Sequence, residues 1–304
     1  MITSAASVIS HEFVVVNGVR LHVSMAGWRG APLIIFLHGF PESSLSWREY
    51  LREMSGSYFA IAPDNRGFYL SDKPAVVADY RIEKIVDDIA GLAAHYGAEK
   101  FTLVGHDWGG IAAWRFAASH PQKLTRLVVL NAPHPTIFQQ AIFSDAGQRA
   151  ASQYVTRFRD AATESKLQAM GLENFWTMLF GAQFSARHIS PNDKVQTLNA
   201  WAKPGAITAM LNWYRASDYV VPAESAPLEM PLEQPLVALH IAVPTLVFWG
   251  MQDTLLLPCL LDGLSNYVPK LTLEKLADTG HGLIHERRKK IIQIMKKWLG
   301  DARI

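Results

Sequence analysis

One short motif holds a side chain that could act as a nucleophile. Gly105-His106-Asp107-Trp108-Gly109 follows a run of buried-strand type and opens a helical pattern, with the spacing of a nucleophile elbow. The two glycines allow a sharp turn that projects the central residue at the top of a sheet, beside a helix N-terminus. That residue is an aspartate, so a carboxylate takes the place of the nucleophile. The competing interpretation is an ordinary helix N-cap aspartate, against which the glycines and the preceding strand argue.

A nucleophile at an elbow needs an acid and a histidine, which follow it along the chain in this fold class. Asp253 comes just after a buried strand run, where a loop carboxylate could face the same edge of the sheet. His281 lies in a glycine-flanked loop after a strand-like segment. The sequence therefore predicts that Asp107, Asp253 and His281 form a catalytic set. Asp262 and His285 remain open as the alternative acid and base.

Buried strand runs alternate with helical patterns over most of the chain. Continuous apolar runs, which suit strands buried on both faces of a parallel sheet, occur at 33–37, 59–63, 102–105, 126–131 and 244–250. Helical spacing of apolar residues occupies 80–96. Near the start, two strand patterns meet at Asn17-Gly18, a dipeptide typical of a tight hairpin. This alternation predicts an α/β fold with a mostly parallel central sheet flanked by helices.

The middle of the chain interrupts the alternation. Between residues 135 and 235 there is no buried-strand run, and aromatic residues and helix formers are abundant. The end of this segment, 220–235, is rich in proline and indicates a loop. We predict a helical cap at 135–235, inserted between two segments of an α/β core at 1–134 and 236–304.

Composition excludes several classes of protein. Of the 304 residues 49% are hydrophobic and 18% charged, which excludes a disordered chain, and the net charge of +2 does not suggest a nucleic-acid surface. The single cysteine, Cys259, can form neither an internal disulfide nor a Cys-rich zinc site. No signal peptide is apparent, and the apolar tract 236–251 is broken by polar residues and a proline. We expect a cytoplasmic monomer or homodimer with no nucleic-acid or membrane partner.

Five motifs make the chain resemble the α/β-hydrolases, and specifically the soluble epoxide hydrolases, over essentially its whole length. They are HGFPES (38–43), GHDWGG (105–110), LNWYR (211–215), WGMQD (249–253) and GH (280–281). An aspartate in the elbow excludes serine esterases, lipases and peptidases, because their chemistry needs a hydroxyl nucleophile. The resemblance leaves open those α/β-hydrolases whose nucleophile attacks carbon. They are the epoxide hydrolases, the haloalkane dehalogenases and the haloacetate dehalogenases.

The segment around Phe40 resembles the HGxP motif of epoxide hydrolases and implies an oxyanion hole. Its donors would be the backbone N–H groups of Phe40 and Trp108. Many haloalkane dehalogenases carry asparagine at the position of Phe40. Haloacetate dehalogenases carry arginines at the positions of Trp108 and Ile111. This chain has neither feature. The resemblance also implies that Trp108, Phe40 and Pro41 contact the substrate. The indole of Trp108 would suit a halide as well as an apolar pocket.

LNWYR resembles the cap segment that carries an epoxide-polarising tyrosine, which implies that Tyr214 donates a hydrogen bond to the epoxide oxygen. A core aromatic of the cap is the competing interpretation. Family members usually pair two tyrosines, and Tyr154 is our choice for the second, on a looser match. Tyr219 and Tyr80 are the alternatives.

The resemblance implies an enzyme that opens an apolar organic epoxide with water and yields a vicinal diol. Asp107 would attack a ring carbon and form a covalent ester, which water activated by His281 would hydrolyse, with Asp253 orienting the imidazole. No metal or other cofactor is implied. Two alternatives stay open: a haloalkane dehalogenase that uses the same aspartate, and a non-catalytic ligand-binding receptor on this fold.

Overall fold

An eight-stranded sheet forms the centre of the computed structural model, which describes residues 8–183, 188–230 and 238–300. The strands are β1 (Ser10–Val16), β2 (Val19–Ala26), β3 (Leu33–Leu37), β4 (Phe59–Pro63), β5 (Phe101–His106), β6 (Leu124–Leu130), β7 (Thr245–Gly250) and β8 (Leu271–Leu276). Their spatial order is β1-β2-β4-β3-β5-β6-β7-β8. β1 and β2 form an antiparallel hairpin and β2 pairs antiparallel with β4, whereas all the other pairs are parallel. The predicted α/β fold with a mostly parallel sheet is confirmed.

Helices cover both faces of the sheet and fill the interval between β6 and β7. They are α1 (Arg48–Met54), α2 (Ile82–His95), α3 (Trp108–Ser119), α4 (Pro135–Ser144), α5 (Ala146–Ala151), α6 (Gln153–Arg159), α7 (Ala162–Met170), α8 (Leu172–Gln183), α9 (Pro191–Trp201), α10 (Ala206–Arg215), α11 (Leu264–Tyr267), α12 (Leu283–Glu286) and α13 (Arg288–Gly300). Within the described ranges, none of these is both long and apolar enough to span a bilayer.

The strand β3 shows why the apolar runs of the sequence become buried strands. Side chains alternate between the two faces of a sheet. Leu33, Ile35 and Leu37 therefore join the core layer that contains α2 and α3, whereas Ile34 and Phe36 join the layer that contains α1 and α13. All five are almost fully buried, and each such side chain contributes about 1.5–3 kcal/mol of hydrophobic stabilisation. The two packed layers make the sheet a rigid base for the loops at its edge.

The helices α4–α10 occupy most of the segment predicted as a cap. α4 begins at Pro135, the first predicted cap residue, and the described residues between β6 and β7 contain no strand. The predicted end of the cap at 235 lies outside the described residues, so the division into cap and core stays a prediction. The indole of Trp213 donates to the carbonyl of Arg66 at 3.0 Å, which anchors α10 to the loop that follows β4.

Candidate active site

The turn between β5 and α3 holds Asp107 in a backbone conformation that few residues adopt. Its φ is 51° and its ψ is −124°, and it occupies the N-cap position of α3 without making a side-chain capping hydrogen bond. The ordinary N-cap interpretation is therefore wrong. The turn depends on small residues, because a Cβ on Gly109 would lie 2.3 Å from the carbonyl oxygen of Leu37, and one on Gly105 would lie 2.4 Å from the carbonyl oxygen of Gly109.

The two oxygens of the Asp107 carboxylate have different partners. Oδ1 accepts a hydrogen bond from the backbone N–H of Phe40 at 2.7 Å, and Oδ2 lies 3.5 Å from Nε2 of His281. The side chain is 12% exposed, so this arrangement is largely shielded from water. The predicted nucleophile and base thus face each other across one short gap.

Asp253 lies in the loop after β7 and is 2% exposed. Its Oδ2 accepts from Nδ1 of His281 at 2.7 Å, while its Oδ1 accepts from the backbone N–H groups of Leu255 and Leu256 at 2.8 and 2.9 Å. A carboxylate held by several donors keeps the imidazole in one orientation. The structure therefore brings together all three members of the predicted set, and the alternative acid Asp262 is exposed at the surface.

The pKa of His281 reflects the two carboxylates that flank it. Burial alone would lower this pKa, but the charges and hydrogen bonds of Asp253 and Asp107 outweigh the burial and raise it to about 10. At neutral pH this pKa favours the protonated imidazole.

Asn131, which the sequence analysis missed, ties together the loops that carry these groups. Its side-chain amide donates to Oδ2 of Asp253 at 2.7 Å and to the carbonyl of Gly280 at 3.2 Å, and its oxygen accepts from the N–H of Gly250 at 2.7 Å. Its signal in the sequence was its place directly after the buried run of β6, at the edge where Asp107 and Asp253 also lie.

A second buried cluster lies behind the base and was also missed. Glu42 meets Nδ1 of His106 at 3.1 Å and Nε2 of His285 at 2.5 Å. Burial would raise the pKa of Glu42, but the two imidazoles hold it well below its usual range. Nε2 of His106 lies 3.0 Å from the carbonyl oxygen of His281, so the cluster supports the loop that carries the base. His285, the alternative base, has Glu42 rather than Asp107 as its partner.

The two predicted tyrosines come from different cap helices and meet in front of Asp107. Tyr214 is on α10 and Tyr154 is on α6, with ring centroids 6.0 Å apart at an angle of 83°. Burial raises the pKa of Tyr214 well above its ordinary value, and the charge of Asp107 raises it further. The pKa of Tyr154 is raised for the same two reasons. Both phenols are therefore protonated donors at neutral pH.

Asp107, His281 and both tyrosines line one cavity of about 510 Å³. Its walls are mainly apolar and include Phe40, Pro41, Phe158, Leu167, Leu179 and Leu255. The charged side chains that also line it, Arg157, Asp160 and Lys166, are exposed and lie towards solvent. Such a chamber suits a molecule with an apolar body and one reactive polar group.

The tyrosine alternatives lie elsewhere. Tyr80 and Tyr219 line a separate cavity of about 280 Å³. The hydroxyl of Tyr80 donates to the carbonyl of Pro74 at 2.7 Å, and the buried hydroxyl of Tyr219 has no hydrogen-bond partner among the residues that the structure describes. Neither residue lines the chamber that contains Asp107.

The side chain of Trp108 also differs from expectation. Trp108 lines the smaller cavity rather than the one that contains Asp107, and its indole packs edge-on against Tyr214 with centroids 5.2 Å apart. The predicted substrate contact of its indole therefore has no support in this geometry, whereas Phe40 and Pro41 do line the chamber. The backbone N–H of Trp108, in the first turn of α3, lacks an intrahelical partner and stays available as an oxyanion donor.

Across the ranges that the structure describes, no group of three or more His, Cys, Asp or Glu side chains is arranged to hold a metal ion.

Comparisons with known proteins agree with this architecture. A family model described as the alpha/beta hydrolase fold matches residues 32–287. The AB hydrolase superfamily protein YfhM of Bacillus subtilis is 34% identical over 95% of this chain and 97% of that protein. Epoxide hydrolase 3 of Xenopus tropicalis is 32% identical over 94% of this chain and 76% of that protein.

Solved structures give the same result in three dimensions. A structure from work on novel epoxide hydrolases in metagenomes from hot environments has a TM-score of 0.91 at 37% identity, covering 96% of this chain and 99% of that one. Bacillus megaterium epoxide hydrolase in complex with an inhibitor has a TM-score of 0.83 at 30% identity, covering 95% of this chain and 100% of that one.

Proposed function

Because this chain belongs to the α/β-hydrolase fold family and, within it, to the epoxide hydrolases, we propose that it hydrolyses an apolar organic epoxide to a vicinal diol through a covalent ester on Asp107. The observation that carries the proposal is the shared chamber, in which two phenol donors face the carboxylate of Asp107. An epoxide bound there has its oxygen next to acids and its ring carbon next to a nucleophile.

Ring opening is the first step. Tyr214 and Tyr154 donate hydrogen bonds to the epoxide oxygen and stabilise the negative charge that develops as the C–O bond breaks. Oδ2 of Asp107 attacks the ring carbon, because Oδ1 is already bound by the N–H of Phe40. The product of this step is a hydroxyalkyl ester on Asp107, with the alkoxide protonated by a tyrosine.

Ester formation changes the charge that His281 experiences. The ester of Asp107 is neutral, so one of the two carboxylates that raise the pKa of His281 is lost and the pKa falls. The imidazole can then release its proton, by way of solvent, to the tyrosinate that ring opening left, so that it is free to accept a proton from water and direct that water at the ester carbonyl. The N–H groups of Phe40 and Trp108 hold the oxyanion that results. Alkylation of Asp107 thus converts His281 from a cation into a base.

The substrate class follows from the walls of the chamber. They are mainly apolar and the volume is about 510 Å³, which suits an epoxide with a hydrocarbon or aromatic body rather than an anionic haloacid.

We further propose a cytoplasmic monomer or homodimer, to be tested by cell fractionation and light scattering.

Two probe substrates test the proposal. We expect the purified protein to convert styrene oxide to its diol and to release no bromide from 1-bromobutane, with Asp107→Asn inactive as the control. Bromide release without diol would favour a haloalkane dehalogenase. Neither product, with tight binding of styrene oxide, would favour a non-catalytic receptor.

A further inference from the structure

Arg159 links the helix that carries Tyr154 to the backbone of Tyr214. It is the last residue of α6, the helix that carries Tyr154. Its guanidinium donates to the carbonyl oxygens of Tyr214 (2.9 Å), Tyr219 (2.7 Å) and Ser217 (2.7 Å), and to the hydroxyl of Ser217 (2.7 Å). One side chain on the helix of the first tyrosine thus binds the backbone of the second.

One hydrogen bond of Arg159 lies at the end of α10. This helix ends at Arg215, and the carbonyl of Tyr214 in its last turn accepts from Arg159 at 2.9 Å and also from the N–H and the hydroxyl of Ser217, both at 3.2 Å. A cation at this end is also favoured by the helix dipole. The carbonyl oxygens and the nearby charge of Asp218 together offset the charge of the guanidinium. The planar fork of a guanidinium can reach several carbonyls in one fixed geometry, which an ammonium cannot.

The packing next to Arg159 transmits this constraint to the rings. Phe158 packs against both tyrosines and Phe40, with centroid distances of 6.0 Å to Tyr154, 4.9 Å to Tyr214 and 5.2 Å to Phe40. α6 has seven residues, and a helix this short has little stability without tertiary contacts. A shift of α6 along α10 would therefore change the separation of the two phenols.

We propose that Arg159 is a positioning residue for ring opening: it fixes α6 against the end of α10 so that both phenols reach one epoxide oxygen. The inference rests on the proposed function. It assigns Arg159 to the alkylation step and not to the hydrolysis of the ester, because Asp253, His281 and the N–H of Phe40 lie on other elements.

Arg149 provides a matched control. It is a buried arginine of the same segment between β6 and β7, and its guanidinium donates to the carbonyl oxygens of Ile142, Phe143, Ala226 and Pro227. None of these carbonyls belongs to a tyrosine or to α10. Loss of Arg149 should weaken this part of the molecule without changing the relation between the phenols.

The experiment measures alkylation and ester hydrolysis separately with styrene oxide, by rapid mixing and quenching followed by mass spectrometry of the intact protein. We expect Arg159→Met to slow alkylation by about 10–100-fold, the scale for a catalytic group displaced by about 1 Å. Hydrolysis of the ester should stay within about threefold of wild type, well inside that scale. Arg149→Met should leave both rates of the folded protein within the same limit.

Arg159→Lys keeps the charge and the aliphatic stem and should recover part of the alkylation rate; it carries the test if Arg159→Met does not fold. Wild-type alkylation in whichever variant folds would overturn the inference, as would equal slowing of both steps. If the wild type itself forms no ester with styrene oxide, the proposed function fails first, and that result is distinct from a change confined to Arg159.

Discussion

In the proposed mechanism His281 is a cation in the resting site because two carboxylates face it, and it becomes a base when one of them is esterified. The division of labour between attack and hydrolysis follows from this geometry. Asp107 needs only its own carboxylate and the tyrosines to open the ring, whereas cleavage of the ester needs a group that accepts a proton from water.

His281→Gln should therefore accumulate the covalent ester. We expect a single adduct of substrate mass on intact-protein mass spectrometry after addition of styrene oxide, with turnover nearly abolished. His285→Gln, which removes the partner of Glu42, should accumulate no adduct. Near-normal turnover in His281→Gln would transfer the role of base to another histidine.

Tyr214→Phe should slow ring opening by roughly 10²-fold, the scale for loss of one preorganised donor. Tyr219→Phe is the matched control, because it removes from the same part of the chain a buried hydroxyl that has no partner. Burst-phase alkylation kinetics separate this step from ester hydrolysis. An unchanged burst in Tyr214→Phe would remove this phenol from the mechanism and strengthen the dehalogenase alternative.

At the scale of elements, the elbow exists because α3 approaches β3 more closely than a side chain allows. The Cβ of an alanine at position 109 would contact the carbonyl oxygens of Leu37 and His38 at 2.3 and 2.6 Å, and backbone cannot move aside as a flexible side chain can. The glycines therefore set both the stability of this junction and the direction in which Asp107 points.

Gly109→Ala should destabilise the protein by about 1–3 kcal/mol, as overpacking does, and abolish activity. Gly181→Ala is the control: it is an exposed position in α8 where the nearest atom, in Thr177, would be 3.5 Å away, so a gain of up to about 1 kcal/mol is expected. Urea unfolding measures both changes. Equal stability of the two variants would contradict the argument for the elbow.

Elements with a strong local pattern could be predicted from the sequence, and contacts between elements could not. The run at β3 and the Asn17-Gly18 turn carry their own signals, and the structure confirms both strand and hairpin. The side chain of Asn131 binds two loops far from it in the chain, at 250–253 and at Gly280, so its place after β6 indicates the sheet edge but not these partners. The indole of Trp108 could not be assigned to a cavity for the same reason, since its direction depends on where α10 places Tyr214.

For the whole molecule, the buried cation of His281 couples the site to stability. Its pKa in the folded protein is about 10, above the value of about 6.5 for an exposed histidine in the unfolded chain. The unfolded chain therefore binds fewer protons between these two values, and stability falls as the pH rises through that window. The contribution is complete below about pH 6.5 and lost above the folded pKa.

Asp107→Asn should weaken this pH dependence, because it removes one of the charges that raise the pKa of His281. We expect the melting temperature of the wild type to fall more steeply than that of Asp107→Asn between about pH 7 and 10. Thermal unfolding in a series of matched buffers measures the difference between the two proteins. The lysines and tyrosines that titrate in this range are common to both, so their contributions cancel. Parallel curves would show that Asp107 does not raise the pKa of His281.

The N–H of Phe40 binds only one oxygen of the Asp107 carboxylate, so we expect only the other oxygen to be exchanged with solvent during turnover. In the proposed mechanism Oδ2, on the side of His281, leaves with each diol, and an oxygen atom from water replaces it. Oδ1 stays bound to the same N–H and is retained through successive cycles. In H₂¹⁸O the first diol should be unlabelled, and after many turnovers the peptide that contains Asp107 should hold one heavy oxygen. Two heavy oxygens would mean that the carboxylate rotates between cycles, and none would exclude the ester. A single heavy oxygen would show that Asp107 retains one carboxylate oxygen while the other is replaced from solvent.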